Sequence, residues 1–283
     1  MRNFSHVYHL PEELPADYRA QLWKFLSIQI CIEGGMADES GLSPAPFSYE
    51  MPEARHRRFI AHKLADERKH AYGLFQLAKS IGYDPHALLA EARAYPEKSR
   101  ALDAFKEIDF HSHLVFEVFC MLTEAAGGIA SVAALGSTYL PWAAWSARNF
   151  IDEGITHSLI SMNNIRELVE AGQRDEVQAA YDRIYPYALD LFGGANSANE
   201  REYLRFGIKT LTNTECRVLW LRQIRERTAL AGLTFPKDPY QGKRNRYDEC
   251  CPGLESNWGA VFGNSADLAK AHTLAKNAVL QTA

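Results

Sequence analysis

Residues 52–82 read PEARHRRFIAHKLADERKHAYGLFQLAKSIG. Pro52 suits the first turn of a helix and Gly82 suits the end of one. Between them Phe59, Ile60, Leu64, Ala71, Leu74, Phe75 and Leu77 recur at helical spacing, which predicts one long helix with a buried face. Its middle reads Asp66-Glu67-Arg68-Lys69-His70. Glu67 and His70 are three residues apart and therefore share a face, with Leu64 and Ala71 beside them. An acid and an imidazole inside an apolar helix decide how the rest of the chain is read.

Working outward, helical periodicity continues. Residues 11–34 carry Leu22, Phe25, Leu26, Ile28 and Ile30, a helix that ends at Glu33. A short helix is expected over 85–94, and long ones over 99–135 and 141–172, separated near Gly136 to Pro141. Residues 174–192 form another, expected to break at Pro186, and 198–231 one more, ending near Gly232. The stretch 235–265 is rich in Pro, Gly, Asn and Asp and reads as an irregular wrap, before a last helix over 265–281. Strand alternation, hairpin dipeptides and fixed-period repeats are not evident. The pattern predicts an all-α protein: a four-helix bundle with accessory C-terminal helices and an irregular C-terminal wrap. With no linker to divide it, residues 1–283 read as a single domain. Its bundle covers about 11–172 and the accessory part about 173–283.

The other long helices offer the same residue types as the first. Residues 152–157 read Asp-Glu-Gly-Ile-Thr-His, so Glu153 and His157 stand four apart on one face, next to Phe150 and Ile151. Glu33 closes the first helix. Glu117 and Glu124 on the 99–135 helix are seven apart, hence on one face, and either can supply its carboxylate; Glu124 has the small neighbours Ala125, Ala126 and Gly127. The order is Glu, Glu-x-x-His, Glu, Glu-x-x-x-His, the arrangement of ferritin-like di-iron carboxylate bundles. Two metal ions about 3.5–4 Å apart concentrate positive charge in a protein interior. Four carboxylates neutralise it and can bridge, while two imidazoles complete the shell and leave positions open for O2.

Composition excludes other classes. Of 283 residues, 47% are hydrophobic and 23% charged, which is globular rather than disordered. With 31 basic and 35 acidic residues the net charge is −4, so there is no chain-wide grip on nucleic acid. Five cysteines (Cys31, Cys120, Cys216, Cys250 and Cys251) lack C-x-x-C spacing, which argues against a zinc ribbon and for a reducing, cytoplasmic setting. Neither a signal peptide nor a run of 18 apolar residues is evident, so no membrane role is expected. No G-x-G-x-x-G or cysteine cluster suggests a flavin or iron–sulfur group.

Further motifs carry a resemblance. They are Arg57-Arg58, Lys63, Asp66-Glu67 and His70; Glu33-Gly34; Leu191-Phe192-Gly193 with Asn196-Ser197; Gly207-Ile208-Lys209; Thr212 to Arg217; Leu230 to Pro236; and Arg246-Tyr247-Asp248. Nearly end to end, the chain resembles the catalytic, A-type subunit family of bacterial phenylacetyl-CoA 1,2-epoxidases. The resemblance implies a di-iron monooxygenase with metal ligands Glu33, Glu67, His70, Glu124, Glu153 and His157, and with Lys63 close to the metals. It implies two iron ions, O2 as co-substrate, and electrons from a separate reductase. It also implies a small aromatic or acyl-CoA substrate, and a related helical partner subunit or a homo-oligomer.

The chain departs from that pattern at two places. The family's second pair is E-x-x-H, whereas Gly154 stands three before His157; a one-residue bulge with Gly154 as slack would restore the reach of Glu153. Met121 stands one turn before Glu124, where the family position is unmatched. A divergent stand-alone hydroxylase or N-oxygenase, and a non-catalytic scaffold or iron-binding subunit, are the competing readings. Candidate phosphate-binding cations are Arg55, Arg57 and Arg58, and Lys243, Arg244 and Arg246. Phe116, Phe119, Tyr139, Trp142 and Trp145 are either pocket wall or core. His111 and His113 alternate and do not make a helical ligand pair.

Overall fold

The computed structural model describes residues 6–37, 53–95 and 112–236, and among them there is no β-strand. The protein is all-α with a helical-bundle core of the ferritin-like kind. The expected helix over 265–281, the wrap from 237 on, and Lys243, Arg244, Arg246, Cys250, Cys251 and His111 lie outside the described residues. By internal packing the chain divides into two compact units, His6–Phe116 and, with the first five residues, Glu117–Ala283.

The first unit opens with a 3-10 turn, Pro11–Glu13. The Glu13 carboxylate accepts the N–H groups of His9 and Leu10, and these bonds hold its pKa below the usual carboxylate range. Helix α1 (Ala16–Ala37) follows. It buries Tyr18, Leu22, Leu26 and Ile30, one residue every fourth, and Glu33 continues that stripe. Ile28, expected on the same face, is exposed, because it falls half a turn away. Helix α2 (Ala54–Ser80) fulfils the reading of 52–82, with Gly82 at φ +91° just beyond it. Its buried face runs Phe59, Ile60, Lys63, Glu67, His70, Ala71, Leu74, Leu77 and Ala78, while Leu64 and Phe75 are half-buried. Helix α3 (Pro85–Ala94) matches its expected limits, and the Asp84 carboxylate accepts the N–H groups of His86 and Ala87. A methyl group at Gly34 would stand 2.9 Å from Leu89, so the glycine admits α3 against α1.

The second unit takes most of α4 (His113–Ala134). This helix is long and apolar enough to cross a bilayer, yet its most apolar window is 89% buried within the protein, as in a core helix. After a turn come α5 (Leu140–Asn149), a π-helix (Phe150–His157) and α6 (Ser158–Glu170), continuous with one another. Phe150 packs with Val132 and Ala147, while Ile151 faces outward. Helix α7 (Arg174–Asp190) runs through Pro186 without the expected break. Proline costs one ladder bond there, and the buried stripe Tyr181, Ile184, Tyr185, Ala188 and Leu189 carries the helix past it.

The expected helix over 198–231 is instead two: α8 (Ala198–Arg205) and α9 (Asn213–Leu230). Gly207 at φ +70° turns the chain. Thr212 and Glu215 then form a capping box that starts α9, with the Glu215 carboxylate accepting the Thr212 N–H at 2.6 Å. The turn between them is pinned to the end of α4: the Thr210 N–H donates to the Ala133 carbonyl at 2.7 Å. The Trp220 indole on α9 donates to the Leu122 carbonyl of α4 at 2.9 Å.

Candidate metal centre

In the first unit, α1 supplies Glu33 and α2 supplies Lys63, Glu67 and His70, all buried. His70 Nδ1 lies 3.6 Å from Glu33 Oε2. One ligand atom each from Glu33, Glu67 and His70 come within 4.8 Å of one another. Lys63 is fully buried and its Nζ donates to Glu67 Oε1. The neighbouring Asp66, also buried, is instead held by the exposed His62, at 3.0 Å, and Lys69, at 2.8 Å. Two buried carboxylates and one ammonium leave net negative charge in low dielectric, which a cation can offset.

In the second unit, the π-helix presents Glu153 and His157, and α4 presents Glu117 and Glu124. His157 Nδ1 lies 3.2 Å from Glu124 Oε2. Glu117 is fully buried two turns earlier on α4 and accepts the Asn164 amide at 2.9 Å. Asn164 follows His157 by seven residues, so the two pairs are successive rungs between the same helices. Glu124 thus faces the imidazole and Glu117 a neutral amide, and a solvent-exposed Glu117 is excluded.

The space for Glu153 comes from missing side chains. A methyl group at Gly127 would stand 2.0 Å from Glu153 Oε2, so the carboxylate lies in the notch left by that glycine. A methyl group at Gly128 would stand 2.3 Å from the Gly154 Cα, so backbone meets backbone there. The one-residue bulge expected around Gly154 is present as the π-helix. The Ser158 N–H bonds the Glu153 carbonyl, five residues back, as well as that of Ile155. The extra residue is absorbed between Glu153 and His157, and both side chains stay inside.

Three participants were not read from the sequence. Asn164 had a usable signal, its seven-residue offset from His157. Ser158 and Arg227 had none: Ser158 Oγ donates to the Met121 carbonyl at 2.8 Å, and Arg227 reaches the π-helix from α9. Backbone carbonyls as partners leave no trace in residue type.

The aromatic candidates are core. Phe116, Phe119, Tyr139 and Trp142 are buried, and the Trp142 indole donates to the Ile208 carbonyl at 3.1 Å and stacks on Trp145 at 5.2 Å. Arg55, Arg57 and Arg58 are exposed, Arg55 already bonded to Glu53 at 2.7 Å. His113 packs against His56, ring centres 5.1 Å apart.

Buried clusters of carboxylate and imidazole like these can hold a metal ion. No curated protein matches the chain significantly. The family described as phenylacetic acid catabolic protein matches residues 50–277, which hold every candidate ligand except Glu33. On that match over most of its length, the chain belongs to the phenylacetic acid catabolic protein family.

Proposed function

We propose that the protein is a di-iron, O2-dependent monooxygenase of the phenylacetyl-CoA epoxidase kind, a catalytic subunit acting as a single domain in the cytoplasm. Its ligands are Glu33, Glu67, His70, Glu124, Glu153 and His157. The observation that carries this reading is the π-helix: the helix gives up its regular ladder where an acid and an imidazole need an extra residue between them. The donor set suits iron, all carboxylate oxygen and imidazole nitrogen without thiolate. Bound iron would supply the activation of O2 by two electrons from a separate reductase. The balance is substrate, O2, two electrons and two protons giving oxygenated substrate and water.

The chain's own residues would do the rest. Lys63 holds a proton on Nζ against the Glu67 carboxylate. Phe59, Ile60 and Leu74 keep water from the α2 side. The substrate is a small aromatic or acyl-CoA compound, and the partner a related helical subunit or a second copy. A stand-alone hydroxylase or N-oxygenase is the second reading. It is favoured by the spacing of Glu153 and His157, four apart where the epoxidase pattern is E-x-x-H.

Anaerobic reconstitution tests the reading: about two irons per chain are expected, falling in Glu67→Ala and His70→Ala. Less than one iron, unchanged in those variants, refutes it. Turnover with O2 and a reductase on acyl-CoA thioesters, against free aromatic acids and amines, separates the two oxygenase readings.

A further inference from the structure

Arg227 sits in the last turn of α9 with its side chain buried. Among the described residues it has no carboxylate partner. Its Nη2 donates to the Gly154 carbonyl at 2.7 Å and its Nη1 donates to Ser158 Oγ. A guanidinium only donates, so Ser158 must spend its one hydroxyl proton on the Met121 carbonyl, as the 2.8 Å bond there requires. In a regular α-helix the Ser158 N–H would take the Gly154 carbonyl. Here it bonds the carbonyls on either side, of Glu153 and Ile155, and the guanidinium meets Gly154 instead.

From this we infer that Arg227 is the positioning residue that locks the π-helix, and through it sets Glu153 against His157. Burial lowers its pKa to about 10, so it remains charged at neutral pH. A buried guanidinium without a carboxylate is costly, and an apolar side chain would fill the space. This one is aimed at the carbonyl that an α-turn would bond and the π-turn leaves over, and at the hydroxyl of the residue whose N–H would have bonded it. Without it the Gly154 carbonyl recaptures the Ser158 N–H, the segment relaxes toward α-helix, and Glu153 swings relative to His157. Lysine has donors enough but on a single nitrogen, and lacks the planar fork whose two nitrogens here serve the two acceptors separately.

The lock concerns the metal-free fold; its effect on metal rests on the oxygenase reading. The test therefore has two arms, using the full chain with Arg227→Met, Arg227→Lys and Ser158→Ala. Amide hydrogen exchange of the metal-free protein should rise about tenfold or more over residues 150–158 in Arg227→Met, with α7 unchanged. Arg227→Lys should recover part of the protection. In the metal arm, iron should drop from about two per chain to about one, and the ligand-field bands of bound Co2+ should shift. Wild-type exchange in a folded Arg227→Met overturns the inference. If that variant fails to fold, wild-type exchange in both Arg227→Lys and Ser158→Ala overturns it. If wild-type protein takes up no iron, the oxygenase reading falls, and the exchange arm alone decides on Arg227.

Discussion

At Gly127 a single missing methyl group makes the room that Glu153 occupies, since an added carbon would stand 2.0 Å from its Oε2. The obstructing atom is the tip of a flexible side chain, which can move. Alanine also gains about 1 kcal/mol of helix propensity over glycine, so Gly127→Ala should change stability little but displace the carboxylate. A titration with Fe2+ or Co2+ should show weaker binding of one metal with the unfolding midpoint nearly unchanged; unaltered binding would refute the notch. That Glu33, Glu67, His70, Glu153 and His157 are buried was legible from the sequence, because acids and imidazoles inside apolar helical stripes are rare. That Glu117 and Glu124 share a face was legible too, from their seven-residue spacing. Their different partners, Asn164 for one and His157 for the other, were not.

Between elements, the approach of α4 to the π-helix is set by Gly128 and Gly154, with no side chain between. A Cβ at Gly128 would meet the Gly154 Cα at 2.3 Å, and backbone cannot rotate away. Gly128→Ala should cost about 1–3 kcal/mol, the usual range for overpacking. Urea unfolding checks this, and a cost no larger than that of Gly127→Ala would show the approach to be slack. The limits of α2 and α3 were readable from Pro52, Gly82 and Pro85. The split between α8 and α9 was also written in the sequence, as Thr212-x-x-Glu215, but a polar helix pattern ran across it. Pro186 misled in the opposite sense, because five buried residues of α7 outweigh one lost bond.

For the molecule as a whole, burial has sorted protons as well as side chains. Burial pushes the Tyr203 hydroxyl up to about 12 from an ordinary 10.0, and Tyr181 still higher. Such a group keeps its proton in the fold and loses it first in the unfolded chain. Its contribution is thus complete below pH about 10 and is lost as pH climbs toward about 12. Lys209 and Arg227, lowered by burial, act in the opposite sense, so a comparison of variants isolates the tyrosine. Relative to wild type, Tyr203→Phe should gain stability steadily between about pH 10 and about 12 in paired denaturation curves. A constant difference across that range would refute the assignment. Neither the charge total of −4 nor the composition carries this information, because it depends on which tyrosines the helices enclose.

The π-helix also works as a phase corrector. One residue turns an α-helix by about 100°, so an inserted residue without a bulge would rotate everything after it. Here the surplus is consumed before Ser158, and Asn164 still meets Glu117 seven residues beyond His157. A chain can therefore gain or lose one residue at this place while the downstream helix keeps its orientation. Relatives should be aligned through it with a gap allowed between the acid and the histidine.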